Sequence, residues 1–323
     1  VCLYDQDSDQ GALLEELQRN LRLISVVVCL AVLVLFGAFS TFLSRRVRTL
    51  LGGIRTVRAG EYTHRISMDG HDELAQLAEE FNQLTGRLQV TEEERRRFVS
   101  DASHELKTPL ASIRLLTDSI LQDASIDRDT AREFVADIGE AADRLIHISQ
   151  ELLELNRLDE GRDMAQEPVD WTEQVEKIGR MLAPLAEEDR ITLETDLGED
   201  CIVRCNQEDA SQILRNLMEN AIKYNVTGGE VLVTTRRQGA QVLLSVADTG
   251  VGIPEADMPR IFERFYRVDK ARSRAAGGTG LGLSIVRDAV RHHGGTITVQ
   301  ARQPAGVVFT VILPAWREEE SGG

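Results

Sequence analysis

The sequence predicts a multidomain protein with a transmembrane helix, a helical coiled-coil relay, a hairpin that dimerises into a four-helix bundle, and an α/β two-layer sandwich. Three observations support this fold class. An uncharged apolar run lies near the N-terminus, apolar residues recur at helical spacing through much of residues 45–158, and helical and strand patterns alternate after about residue 167. The 323 residues are enough for about two or three domains with connectors.

Composition narrows the classes of function. Hydrophobic residues make up 42% of the chain, which is enough for packed cores, and the net charge is −16, from 53 acidic and 37 basic residues. Because affinity for nucleic-acid phosphates comes mainly from Lys and Arg, this acidity argues against a nucleic-acid-binding protein held by bulk charge. The four cysteines form no CxxC pair and no Cys/His cluster with zinc spacing, so neither a disulfide framework nor a structural metal is predicted.

The first element is an apolar stretch, residues 23–43, that contains no charge. As a helix it spans roughly 30 Å, the thickness of a bilayer core. A buried core helix or a signal peptide are the alternatives, but the run is long and lacks a cleavage site. Arginines follow it and acidic residues precede it, which predicts that everything after residue 44 is cytoplasmic. We therefore assign residues 1–20 to an extracytoplasmic remnant and 21–44 to a membrane helix.

The second segment, residues 45–97, is the predicted relay, with helical patterns near 45–59 and 72–97. In its second helix, apolar residues recur every three or four positions in a narrow stripe that needs a partner helix, namely Leu74, Leu77, Phe81, Leu84 and Leu88. The segment resembles a HAMP signal-relay domain, with Asp72-Glu73-Leu74 and Phe81-Asn82 in place of the second-helix motif. It departs from that family at Leu50, where a proline is usual.

The third segment contains a helix in which His104 lies opposite the apolar face. An exposed histidine alone is usually an ordinary surface residue. Here Glu105 can accept the Nδ1 proton and leave Nε2 as a free nucleophile, and Thr108 lies one turn further on the same face. Pro109 removes a helical hydrogen bond to the Glu105 carbonyl and loosens the helix beside the histidine.

This stretch closely resembles the H-box of bacterial sensor histidine kinases, which implies that His104 is the phosphoacceptor, with Glu105 and Thr108 as catalytic neighbours. A second amphipathic helix is predicted near 129–158, and His147 on it is interpreted as structural or exposed. A hairpin of two such helices buries little surface alone, so residues 98–163 are expected to form a four-helix bundle in a homodimer.

The fourth segment, residues 164–316, alternates helices and short strands, and residues 317–323 form a tail. Helices are predicted near 172–188, 208–224 and 281–293, and strands near 191–196, 201–205, 230–237, 241–248, 296–301 and 306–313. In the second of these helices, Asn216, Asn220 and Lys223 share a face. Amide oxygens are neutral, hard ligands that suit Mg²⁺ bound to a triphosphate, and Lys223 can pair with phosphates. Two solvated asparagines are the alternative.

Two further motifs complete the set. Asp248 ends a strand before a glycine turn and can accept a hydrogen bond from an adenine amino group. A glycine-rich stretch, Gly277-Gly278-Thr279-Gly280-Leu281-Gly282-Leu283, precedes a helix whose N-terminus can bind phosphate. Its glycine order is GxGxG rather than GxGxxG, no strand leads into it, and GxxxxGK[ST] is absent, so Rossmann and P-loop folds are excluded.

The helix with Asn216 and Asn220, the Asp248 turn, the stretch Phe262-Glu263-Arg264-Phe265-Tyr266-Arg267 and the glycine-rich stretch follow one another in this order. They resemble the N, G1, F and G2 boxes of the Bergerat-type ATPase domain shared by histidine kinases, gyrase and MutL. The resemblance implies ATP and Mg²⁺ as cofactors, with the metal on Asn216 and Asn220. Nucleotide-binding residues implied by the motifs are Asn216, Asn220, Lys223, Tyr224, Asp248, Gly250, Gly252, Ile253, Phe265, Arg267, Gly278, Thr279, Gly280, Leu281, Gly282 and Leu283. Asn206 stands where these kinases often have Asp, a departure expected to affect only a helix cap.

The combined resemblance implies a membrane-bound sensor histidine kinase that autophosphorylates and passes phosphate to an aspartate of a response regulator, and that also dephosphorylates that partner. The expected partners are a second copy, a response regulator and membrane lipid, with no nucleic acid. A nucleotide-binding receptor scaffold without chemistry and a gyrase-like ATPase are the alternatives. Basic residues and a small-residue run between Asp257 and Gly278 further predict a lid over the nucleotide.

Overall fold

The computed structural model describes residues 5–122, 126–159, 166–269 and 278–316. Most of the predicted lid's basic and small residues, in 270–277, lie outside these ranges, as does the predicted tail. The chain divides into two compact units, Val1–Arg97 and Phe98–Gly323. We describe each unit by itself.

The N-terminal unit begins with one long helix, α1, at Asp5–Arg58. Its most apolar window has a mean hydropathy of 2.8 and none of that window is buried within the protein, so α1 is long and apolar enough to cross a membrane. The predicted membrane span and the first predicted relay helix are therefore parts of a single helix. The reason is that the sequence between them contains no proline, and helix formers such as Leu and Arg follow the apolar run directly.

A small core holds the connector after α1 against the next helix, α2, at Glu73–Gln122. Leu50, Ile66 and Ala78 are its buried residues, so the leucine in the position of the usual proline is a packing residue here. The Asn82 side chain accepts from the Ile66 backbone N–H at 2.8 Å and donates to the Ile66 carbonyl at 2.9 Å. Asp72 caps α2 by accepting from the Ala75 N–H and also pairs with Arg46.

The C-terminal unit starts within α2, which continues past Pro109 to Gln122 without a break. The second relay helix and the His104 helix were predicted as separate elements, but the structure joins them. After the residues not described, α3 runs from Arg128 to Asp159 and completes the predicted hairpin.

The α/β part follows, and its elements agree closely with the predicted ones. They are β1 (Glu167–Asp170), α4 (Trp171–Glu188), β2 (Thr192–Leu197), β3 (Ile202–Cys205), α5 (Gln207–Lys223), β4 (Glu230–Gln238), β5 (Gln241–Asp248), α6 (Gly282–His292), β6 (Thr296–Ala301) and β7 (Val307–Pro314). Only β1 was not predicted, because four residues with a proline give no periodicity. It pairs antiparallel with β3.

The main sheet has the order β2-β4-β5-β7-β6, with β2 parallel to β4 and the other pairs antiparallel. Alternate residues of the central strands are buried against α4, α5 and α6, which form the second layer. The opposite strand residues are only half-buried. This two-layer arrangement confirms the predicted sandwich and brings the start of α6, one face of α5 and the end of β5 together.

Candidate active site

A cavity of about 360 Å³ opens where these three elements meet the hairpin helix α3. Most of the predicted nucleotide-binding residues line it. They are Asn216, Asn220, Lys223, Tyr224, Asp248, Gly252, Ile253, Arg267, Gly278, Thr279, Gly280, Gly282 and Leu283. Residues from four separate sequence motifs therefore form one concave site, which is the usual form of a small-molecule site.

The helix α5 contributes the polar face that was predicted for it. Asn206 is its N-cap and accepts from the Asp209 N–H at 2.7 Å, so the departure from Asp leaves the cap intact. Asn216 donates through Nδ2 to the Gln212 carbonyl at 3.1 Å, and its Oδ1 lies beside Gly282 at the start of α6. The Lys223 ammonium is 3.2 Å from Glu219, so a bound phosphate would compete with that carboxylate for the lysine.

Asp248 lies at the end of β5 with only 5% of its surface exposed. One carboxylate oxygen accepts the N–H groups of Gly250 at 2.8 Å and Val307 at 3.3 Å. Burial raises the pKa of Asp248, although those two N–H groups and the charge of Arg302 oppose the rise. A buried carboxylate that lines the cavity is suited to accept a hydrogen bond from a ligand amino group.

The glycine-rich segment approaches its neighbours too closely for side chains. Gly280 has φ +80°, and a Cβ there would be 2.9 Å from the Phe265 backbone. At Gly282 a Cβ would be 2.7 Å from Asn216 Oδ1, so this glycine keeps α6 against the polar face of α5. Since α6 begins at Gly282, its free N–H groups and dipole point into the site.

Three of the implied nucleotide-binding residues do not line the cavity. Gly250 packs under it, where a Cβ would be 2.3 Å from the Tyr224 carbonyl. Phe265 contacts Phe98 of α2, with ring centroids 5.9 Å apart, and Leu281 is fully buried in a cluster with Leu155 of α3. Phe265 and Leu281 thus join the sandwich to the hairpin, because both apolar side chains pack against apolar residues of the hairpin helices.

His104 is exposed on α2 and does not line the cavity. The Glu105 carboxylate was expected to orient its ring, but in this arrangement it accepts from Arg267 at 3.0 Å and from Arg144 at 3.5 Å. Arg267 also donates to the Thr279 carbonyl at 2.7 Å, so it connects the histidine helix to the glycine segment. Thr108 donates its hydroxyl to the His104 carbonyl at 3.2 Å.

Sequence reasoning missed several of the residues that line the site, among them charged and imidazole side chains close to the proposed phosphate contacts. Glu219 of α5 and two residues of α3, His147 and Glu151, line the cavity. Burial raises the pKa of Glu151, opposed by the Thr279 hydroxyl and by the charges of His147 and Lys223, while the charge of Glu219 adds to the rise. The signal for Glu151 was its place beside the apolar stripe of α3, between Ile148 and Leu152, where a charged residue is unexpected.

Three known protein families match successive parts of the chain. Residues 38–90 match the HAMP domain, residues 94–161 the His Kinase A (phospho-acceptor) domain, and residues 205–317 the histidine kinase-, DNA gyrase B-, and HSP90-like ATPase. A phospho-acceptor hairpin followed by an ATPase sandwich defines the protein-histidine kinase class.

Two curated relatives extend the match to most of the chain. The signal transduction histidine-protein kinase BaeS of Escherichia coli is 34% identical over 299 residues, which are 91% of this chain and 63% of BaeS. The sensor histidine kinase YkoH of Bacillus subtilis is 32% identical over 315 residues, 96% of this chain and 68% of YkoH. The chain belongs to the sensor histidine kinase family. It spans about three fifths of the length of BaeS.

A solved structure is similar as well. Full-length ShkA in complex with AMPPNP has a TM-score of 0.51 and 26% sequence identity, and the match covers 68% of this chain and 45% of ShkA.

Proposed function

We propose that this protein is a membrane-anchored, homodimeric sensor histidine kinase that autophosphorylates His104 from Mg·ATP and passes the phosphoryl group to an aspartate of a response regulator. The observation that carries the proposal is the cavity beside α5 and α6, which combines an amide face, a buried carboxylate and a helix N-terminus in the same compact unit as an exposed histidine. Membership of the sensor histidine kinase family supports it.

The cavity suits a nucleoside triphosphate. Asp248 would accept the adenine amino group, and Gly252, Ile253 and Tyr224 would enclose the base. The N–H groups at the start of α6, with Lys223 after it leaves Glu219, would hold the phosphates. That ShkA binds AMPPNP on a similar fold supports this use of the site.

The residues also fit a magnesium ion. Asn216 and Asn220 lie one helical turn apart on the cavity wall, and the Gln212 carbonyl holds Asn216 with its oxygen free to bind a cation. Magnesium bound there would neutralise charge on the triphosphate. The chain itself contributes orientation and exclusion of water.

In the proposed reaction the His104 Nε2 lone pair forms a bond to the γ-phosphorus, and the bond from that phosphorus to the β,γ-bridging oxygen breaks, so that ADP leaves. The imidazolium then loses its Nδ1 proton to Glu105 once that carboxylate separates from Arg267. Because His104 is exposed and does not line the cavity, attack needs a nucleotide-bound sandwich, of the same chain or of the second copy, to be brought to it. Thr108 would orient the water that dephosphorylates the response regulator.

The proposed location follows from the first helix. Its apolar part would lie in the bacterial cell membrane, with lipid around it and the kinase segments in the cytoplasm, as the arginines after the run predict. The domain boundaries at residues 20, 44, 97, 163 and 316 belong to the same proposal. The partners would be a second copy of the chain and a response regulator, and the net charge of −16 argues against nucleic acid.

The test is His104→Gln in the full chain. We expect it to abolish acid-labile, base-stable labelling from γ-labelled ATP while leaving AMPPNP affinity unchanged, because the histidine does not line the cavity. His64→Gln, at an exposed position of the N-terminal unit, is the matched control and should label like the wild type. Equal labelling of the His104 variant would remove this residue from the mechanism, and binding without any labelling in the wild type would favour a scaffold.

A further inference from the structure

Glu151 is an acidic residue of the hairpin helix inside the proposed nucleotide cavity. Its side chain is only 7% exposed, and Oε1 lies 3.5 Å from His147 Nε2. Oε2 is buried and has no hydrogen-bond partner among the residues that the structure describes. An unsatisfied buried carboxylate oxygen costs free energy, and Glu151 carries it at the wall of a cavity where an anion is expected.

The groups around Glu151 are those that we assign to the phosphates. Thr279 of the glycine segment, and Lys223 and Glu219 of α5, all act on its carboxylate. Lys223 is already paired with Glu219, so this end of the cavity holds two carboxylates and one lysine. The charges of His147 and Lys223 favour the ionised form of Glu151 against the effect of burial on its pKa. In that form, Glu151 would present a like charge to an entering triphosphate in low-dielectric surroundings, where such repulsion is strong.

The position of Glu151 follows from the packing of α3 on the sandwich. Ile148 and Leu155, one turn before and after it, are fully buried, and Leu155 packs with Leu281 and Ile285. Two ion pairs join the same surfaces, Arg157 with Asp209 and Arg267 with Glu105. These contacts hold the face of α3 that carries Glu151 against the cavity while the hairpin stays in this position.

We propose that Glu151 acts as an internal competitor for the phosphate end of the nucleotide cavity, so that packing of the hairpin on the sandwich and binding of a triphosphate oppose each other. The loss of affinity that Glu151 causes then increases with the number of phosphates on the ligand. The affinity for adenosine, which has no phosphate, is not changed by Glu151. A bound triphosphate favours release of the hairpin, which also allows a nucleotide-bound sandwich to be brought to His104. This inference rests on the proposed function, since it assumes that the cavity binds ATP.

The experiment compares Glu151→Gln with wild type in the full chain, using calorimetric titration with AMPPNP, ADP and adenosine, each with and without Mg²⁺. Gln keeps the size of the side chain and removes its charge. We expect about three-fold or more tighter binding of AMPPNP, from the loss of one like-charge interaction, a smaller gain for ADP and none for adenosine. Glu140→Gln is the matched control, because it removes an exposed carboxylate of the same helix.

Glu151→Ala is a second variant that also removes the bulk of the side chain, and it should tighten AMPPNP binding at least as much. Equal AMPPNP affinity in the wild type and both variants would overturn the inference while leaving the proposed function intact. Weaker binding in both variants only when Mg²⁺ is present would overturn it in favour of Glu151 as a metal ligand. Failure of every protein to bind AMPPNP would overturn both the inference and the proposed function.

Discussion

At the level of single residues, the candidate site depends on close approaches that only glycine permits. Gly306 has φ +106°, and a Cβ there would be 2.0 Å from the Asp248 carbonyl, so the chain before β7 can pass directly against the proposed adenine contact. Gly282 allows the start of α6 to approach Asn216 in the same way. The glycines can be read from the sequence, but the atoms that pack closely against them belong to distant segments of the chain.

Gly282→Ala should weaken binding of Mg·AMPPNP about ten-fold, because the added methyl group would displace Asn216 Oδ1 or the first turn of α6 and cost on the order of 1–2 kcal/mol. The measurement is calorimetric titration in the presence of Mg²⁺. Gly139→Ala is the control, since a Cβ at Gly139 in α3 meets nothing within 4 Å. Unchanged affinity in the Gly282 variant would show that Asn216 is not part of the nucleotide site.

At the level of elements, three helices meet at one buried carboxylate. Asp209 at the start of α5 contacts His293 Nε2 at 2.7 Å at the end of α6, and it pairs with Arg157 of α3. Burial raises the pKa of Asp209, but the hydrogen bonds and charges of His293, Arg157 and Asn206 together hold it below its usual value. The side chain thus fixes the angle at which the hairpin helix and α6 pack on α5.

Asp209→Asn should lower the free energy of unfolding of the C-terminal unit by about 2 kcal/mol or more at neutral pH, because it removes the buried carboxylate that pairs with Arg157 and contacts His293. A depressed carboxyl pKa stabilises the fold above the usual Asp pKa, and this contribution is lost as the pH falls through the depressed value. The difference between variant and wild type in thermal unfolding should therefore shrink at acidic pH.

Asp196→Asn is the control, since Asp196 pairs with Arg236 where both side chains are about half exposed, and its removal should cost less than about 0.5 kcal/mol. Equal destabilisation by both substitutions would mean that Asp209 has no special structural role.

At the level of the whole molecule, the hairpin exposes apolar residues that a monomer would leave in water. On α2 they are Val99, Leu110 and Leu121, and on α3 Val135, Ile146 and Leu153, each at least 56% exposed. Residues seven or eleven apart return to within about 20° on a helix, and these are the spacings within each set, so each set forms one stripe. Two stripes on neighbouring helices fit the proposed four-helix bundle between two copies of the chain.

Ile146→Asp should convert the dimer to a monomer at micromolar concentration, because it places a charge in the proposed apolar interface. Light scattering after size-exclusion chromatography in detergent measures the mass, and circular dichroism checks that helix content is kept. Glu140→Asp puts the same side chain on a polar position of α3 and should stay dimeric. A monomeric wild type, or a dimeric Ile146→Asp variant, would contradict the bundle.

The sequence by itself determined the local structure and the chemical nature of the sites. Apolar periodicity located nearly every helix and strand, and the nucleotide-binding residues implied by the ordered motifs included 13 of the 24 described residues that line the cavity. Both signals could be read because periodicity and motif spacing are properties of nearby residues in the chain. Continuity of the long helices was not predicted, since changes of motif were interpreted as ends of elements although no helix breaker is present between them.

Tertiary structure alone decided which distant residues meet. Phe265 and Leu281 belong to nucleotide motifs but pack against the hairpin, and Glu105 accepts from Arg267 rather than orienting His104 in this arrangement. Glu151 enters the cavity from a helix that no nucleotide motif includes. The physical reason is that these contacts depend on how α3 packs across the sandwich. The apolar periodicity of one segment shows that the segment has a buried face, but it does not show which other segment packs against that face.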